Sequence, residues 1–145
     1  MRYDLKQVEE LCGQLGLRSR VVLEELDEWA EVDLGGQAVL CFVNAEYDKD
    51  CLVGFKGTDW HFHDDFTVPA RDLGSYTRLN YLDVLRGIKN GTVVVLERWR
   101  SGSLHDRKLL HLDGDVLGYI TALQDLPEGE EIRIWRAPRY GQDAA

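Results

Sequence analysis

Two histidines separated by a single residue are the densest chemistry in this sequence. They lie in Gly57-Thr58-Asp59-Trp60-His61-Phe62-His63-Asp64-Asp65-Phe66. An extended backbone sends successive side chains to opposite faces. Asp59, His61, His63 and Asp65 would then share one face, with Trp60 and Phe62 on the other. Two imidazoles and a carboxylate suit zinc, or iron if coordination positions stay open. A competing reading gives the same residues a structural task. Trp60, Phe62 and Phe66 anchor a loop on a sheet, and the histidines bond backbone or carboxylate groups. This second reading is preferred, so the expected cofactor is none and the metal site is the alternative.

The spaced histidines resemble the first metal motif of cupins, but no glutamate follows them and the second cupin box has no counterpart. His105 and His111 complete a four-histidine site only if a later hairpin folds toward this loop. No nucleophile elbow or catalytic-cysteine signature surrounds Cys41, Cys51, Ser75 or Ser101, and neither GxGxxG nor a P-loop occurs. Enzyme activity is therefore the less favoured class. Cys12, Cys41 and Cys51 are odd in number and lack CxxC spacing. They read as buried reduced thiols.

A second candidate works by shape and charge. Trp29 sits within Glu24-Glu25-Leu26-Asp27-Glu28-Trp29-Ala30-Glu31-Val32-Asp33. Read structurally, this run is a solvated edge strand kept apart by charge. Read functionally, Trp29 or Trp60 is an interface anchor, and Glu24, Glu25, Glu28, Glu31 and Asp33 steer a basic partner.

The net charge of −9 at pH 7 is unevenly distributed. Acids dominate residues 1–70, while bases dominate 71–112. An acidic surface repels phosphate backbones, so nucleic acid is not expected as a partner. The N-terminal residues are charged where a signal peptide needs an apolar run, and no later stretch reaches bilayer-spanning length. The expectation is a cytoplasmic chain without a membrane partner.

The elements that must position these residues follow from periodicity. Leu5, Val8, Leu11, Cys12 and Leu15 form a helical stripe within Asp4 to Leu15, ended by Gly13 and Gly16. Arg20 to Leu34 reads as a strand. Gly35-Gly36 turns it back, setting Val32 opposite Val39, Ala30 opposite Cys41 and Trp29 opposite Phe42. A turn at Asp48-Lys49-Asp50 leads into Cys51 to Phe55, extending a meander. Residues 57 to 74 read as irregular.

Ser75 or Thr77 caps a helix with Leu79, Leu82, Val84, Leu85 and Ile88 on its apolar face, stopped at Asn90-Gly91. Thr92 to Arg100 and Leu104 to Leu112 form a hairpin. A three-residue loop, Ser101-Gly102-Ser103, sets Arg98 against Asp106 and Glu97 against Arg107, avoiding a like-charge pair. Val116, Tyr119, Ile120 and Leu123 suggest a short helix, Ile132 to Trp135 a last strand, and the tail from Pro138 a frayed end. Strands grouped rather than alternating with helices predict a single α+β domain over residues 1–145. Its mainly antiparallel sheet comes from a meander and a hairpin, with two or three helices.

Three stretches, Gly54 to His63, Tyr81 to Ile88 and Gly91 to Arg98, resemble small bacterial immunity proteins associated with secreted polymorphic toxins. The resemblance implies a cytoplasmic protein that binds one cognate toxin domain and blocks its active site. It carries no binding residues across.

Overall fold

Asp4 accepts the Gln7 backbone N–H at 3.1 Å and so caps helix α1, Leu5–Leu15. Leu5, Val8, Leu11 and Cys12 are its buried face, and Gly16 closes it in the left-handed conformation. The computed structural model describes residues 2–45, 50–69, 75–113, 123–124 and 126–141.

After α1 the chain forms β1 (Arg18–Glu24), β2 (Asp27–Gly35), β3 (Ala38–Ala45), β4 (Asp50–Phe55) and β5 (His61–His63). These strands join in sequence order as a five-stranded antiparallel meander. The expected single strand from Arg20 to Leu34 is thus two strands, folded back at Glu25-Leu26. Acidic residues on both sides of that turn hid it, because turn chemistry there rests on neither glycine nor proline.

The β2–β3 register differs from expectation by one residue. The turn residues are Gly36 and Gln37, at φ 58° and 64°, and the pairing shifts between Asp33 and Gly35. Val32 therefore opposes Leu40, Ala30 opposes Phe42, and Trp29 opposes Val43. The shift matters because a one-residue slip would move the whole apolar set to the other face. In the observed register Ala30, Val32, Leu34, Ala38, Leu40 and Phe42 are all fully buried.

Residues 57–69 are more ordered than expected. They contain β5 and also β6 (Phe66–Pro69), which pairs with β7 (Tyr76–Leu79). Strand β7 takes Thr77 and Leu79 away from the expected helix. Helix α2 starts later, at Tyr81–Asn90, where Asn80 accepts from the N–H groups of Leu82 and Asp83. Its stop at Gly91 is as expected.

The second sheet has the order β10-β8-β9, formed by β8 (Val93–Arg100), β9 (Ser103–His111) and β10 (Glu130–Trp135). Glu97 opposes Arg107 and Arg98 opposes Asp106, as charge complementarity predicts. The route differs: Ser101-Gly102 is a two-residue turn, and a register shift at Arg98/Trp99 restores the charge pairs.

α1 packs on β1, β2 and α2, and α2 packs on β7 and β8. One apolar core runs through both helices and all three sheets. The architecture is α+β with mainly antiparallel pairing. The expected helix around Val116 to Leu123 lies outside the described residues, apart from Leu123 and Gln124, which are helical. The expected turn at 48–50 is described only at Asp50, the first residue of β4.

The stretch from Pro138 to Gly141 is pinned rather than frayed. Arg139 bonds Leu34 O at 2.8 Å, and the Tyr140 hydroxyl donates to Asp33 O and accepts from Arg18 N. Gly35 makes this possible. At φ 80°, a Cβ there would lie 2.5 Å from the Arg139 backbone. Among the described residues, no helix is long and apolar enough to cross a membrane.

Candidate functional site

The meander has two faces with different chemistry. Its inner face is the core; its outer face follows from the register. Val22, Trp29, Val43, Leu52 and His63 form one row across all five strands. Arg20, Glu31, Cys41, Gly54 and His61 form the next. Val22, Trp29, Val43 and Leu52 are half-buried, so this face is an apolar patch bounded by charge.

The acidic residues on β2 are largely engaged within the molecule. Glu31 accepts from the Trp29 indole N–H at 3.1 Å and from Arg20 at 2.9 Å, and it pairs with Lys56 at 3.4 Å. The indole hydrogen bond, with Arg20 and Lys56, holds the Glu31 carboxyl below its usual range. Asp33 accepts from Gly35 N at 2.9 Å. Glu28 lies toward the N-terminus, bonded to Arg2 and Asn44. Trp60 packs in an aromatic cluster with Phe55, Phe62 and Phe66, at centroid distances of 5.7–6.0 Å.

The hairpin tip behaves differently. Glu24, Glu25 and Asp27 are exposed there, and Leu23 is 73 % and Leu26 39 % exposed. Arg2 and residues 23–28 line an open hollow around the tip. The sequence showed the acids but not their separation into tip and sheet, because the β1–β2 turn was not recognised.

The histidine pair is where alternation put it. His61 and His63 lie on the outer face of β5, with ring centroids 5.1 Å apart, and Phe62 turns inward. Their neighbours differ from the expected Asp59 and Asp65. His61 Nδ1 meets the Asp59 backbone carbonyl at 2.9 Å rather than its carboxylate. Asp64 has φ 59°, which breaks the alternation, and Asp65 pairs with Arg78 at 3.7 Å. His63 Nδ1 instead lies 3.0 Å from Asp50 Oδ2.

Beyond β5 the two strands bring Cys51 beside Asp64, and the thiol donates to Asp64 Oδ1 at 3.3 Å. Asp50, Cys51 and Asp64 are the one gathered set of three potential ligand residues among the described residues. Burial, then the Asp64 hydrogen bond, pushes the Cys51 thiol pKa up. Extending the Leu52–His63 pairing by one residue would have revealed Cys51 and Asp64 from sequence, but only once β5 was known to pair with β4.

His105 is exposed on β9 and His111 is buried there; neither joins the β5 pair in a ligand group. The three cysteines are free thiols, with Cys12 and Cys51 buried and Cys41 half-buried. Burial pushes Cys12 up to about 11, which makes it a poor nucleophile. The bases of the middle segment are partly offset by acids: Arg78 by Asp65, Arg86 by Asp83, Arg100 by Glu130 and Arg107 by Glu97. Comparison with protein-family models, curated proteins and solved structures finds no match to this chain.

Proposed function

We propose that the chain is an immunity-type protein that binds a cognate bacterial toxin domain and inhibits it by steric occlusion. The observation that carries this reading is the β1–β2 tip. Leu23 and Leu26 are exposed among Glu24, Glu25 and Asp27. Apolar side chains that fill a partner's notch supply binding energy, while the surrounding acids steer encounter with a basic surface. The hairpin is held by α1 against β1 and β2, so little ordering cost remains to be met on binding. Trp29 and Val22, half-buried below the tip, extend the contact surface toward the area a stable complex needs, roughly 800 Å² per partner. An occluding inhibitor needs no catalytic constellation.

Coexpression with the product of a neighbouring toxin gene tests the reading. The expected outcome is relief of toxicity and a complex that coelutes in gel filtration. Leu23→Ala with Leu26→Ala should speed dissociation. Glu24→Lys with Glu25→Lys should slow association at low salt, with the effect shrinking as salt rises. If no neighbouring gene product binds, or toxicity persists, the inhibitor reading fails.

A further inference from the structure

We propose that β1 is a self-association edge: two copies of this chain pair their β1 strands antiparallel about a two-fold axis, joining two meanders into one continuous sheet. The inference goes beyond the inhibitor reading and concerns the chain alone. Leu23 and Glu24 belong to both surfaces, so a toxin domain and a second copy exclude one another there. The assembly is tested without toxin, so failure of either reading leaves the other standing.

β1 is the outermost strand of the meander, and among the described residues no strand pairs with its far side. The direction of its free backbone groups follows from the ladder. The Val39 carbonyl accepts from Lys56 N at 2.9 Å, so Val39 faces β4. Alternation then turns Leu40 and Phe42 toward β2, Glu31 and Trp29 toward β1, and Arg20 and Val22 back toward β2. Ser19, Val21 and Leu23 are left with their N–H and C=O groups directed at the open edge. Such an edge is a template for another strand.

Two-fold pairing requires edge-directed residues to face one another, which restricts the register. Centring the axis on Val21 uses the whole of β1. It sets Arg18 against Glu24 of the second copy, Ser19 against Leu23, Arg20 against Val22, and Val21 against its own counterpart. Opposite charges then meet at both ends of the ladder, on the outer face of the sheet. Moving the axis to Arg20 opposes like charges, and moving it to Val22 carries Arg18 past the end of the partner strand.

The side chains are those an interface would cover. Leu23 is 73 % exposed. Arg18 and Glu24 are exposed, and neither forms an ion pair with a described residue. Val21 borders an open hollow with Lys6 and Glu9 of α1, so the helix leaves room beside it. Across the axis the half-buried rows of Val22, Trp29, Val43 and Leu52 from the two copies lie side by side. About six main-chain hydrogen bonds over a small area fit a weak, concentration-dependent dimer.

Sedimentation velocity of the full chain, from micromolar to millimolar concentration, tests the assembly. A monomer–dimer equilibrium is expected. Arg18→Glu should weaken dimerisation roughly tenfold or more, because like charges then meet at both ends, and adding Glu24→Arg to the same chain should restore it. Both side chains are exposed, so the fold should survive these changes, which circular dichroism checks. Leu23→Pro should also release the dimer, since it removes an edge-directed donor from each copy and none from the β1–β2 ladder. The proposal is overturned by a chain that stays monomeric at millimolar concentration, by a dimer that survives Leu23→Pro, or by a double charge reversal that fails to restore what Arg18→Glu removes.

Discussion

The β8–β9 hairpin and the β1–β2 hairpin are both antiparallel and both crowded with charge, yet they use it in opposite ways. In β8–β9 the Glu97 and Arg107 side chains are each 5 % exposed and meet at 2.7 Å. Glu97 also accepts from the Trp99 indole, and Arg107 reaches the Gln37 carbonyl in the β2–β3 turn. The pair thereby ties the second sheet to the meander. At the β1–β2 tip, Glu24 and Glu25 are exposed, and neither forms an ion pair with a described residue. The difference teaches that burial, rather than residue type, decides whether a charge works inside the fold. A desolvated charge requires a partner in its own chain, whereas a hydrated one remains available to a partner in another.

The largest effect should come from breaking the buried pair. Arg107→Met leaves Glu97 desolvated without its cation and should cost about 3–5 kcal/mol in urea unfolding. Adding Glu97→Gln to the same chain should recover part of that loss, since the stranded charge is removed. A single-variant loss under about 1 kcal/mol would mean that the pair is as hydrated as the tip, and the contrast would vanish.

Glu31 lies between these extremes, with its side chain 11 % exposed and bonded to Trp29 and Arg20. Its folded carboxyl is held below the usual range. The stabilisation is therefore fully present above the unfolded value of about 4.3 and is lost as pH falls through the lower folded value. Glu31→Gln should lower stability by about 0.5–1.5 kcal/mol at pH 7 and flatten the acid limb of the profile. Thermal unfolding scanned from pH 7 to pH 3 reads both quantities, and an acid limb as steep as in the parent chain would count against this account.

The smallest effect belongs to the tip. Glu24→Lys with Glu25→Lys should change stability by no more than about 0.5 kcal/mol, because these side chains are exposed beyond the packed sheet. Circular dichroism melts would sharpen the comparison by separating this neutrality from the expected loss of toxin association. A large drop in melting temperature would assign those acids to the fold.

Several parts of this molecule are legible in its residues because the determining interactions are local. The stripe in α1, the Asn90-Gly91 stop of α2 and the Glu97–Arg107 opposition each depend on neighbours along a helix or across one turn. Reading failed where a distant segment competed. Leu79 has the spacing of a helical residue, but pairing of β7 with β6 draws it into a strand. The tail near Tyr140 has no anchoring signal of its own; its partners, Arg18 and Asp33, lie more than a hundred residues away. At the histidine strand, alternation correctly placed His61 and His63 together. It misjudged their neighbours because the left-handed Asp64 ends the alternation and the β4 pairing supplies Asp50 and Cys51.

By itself the sequence determined the α+β class, the helical stripe of α1 and the density of acid around Trp29, because periodicity and charge are properties of neighbouring residues. Only the tertiary structure decided which acids are consumed within the fold and which face solvent, and that Asp50 rather than Asp59 or Asp65 lies against His63. Those outcomes depend on strand register and on turns. A one-residue shift in pairing reverses the face every side chain takes, and no local pattern fixes that shift until the strands meet.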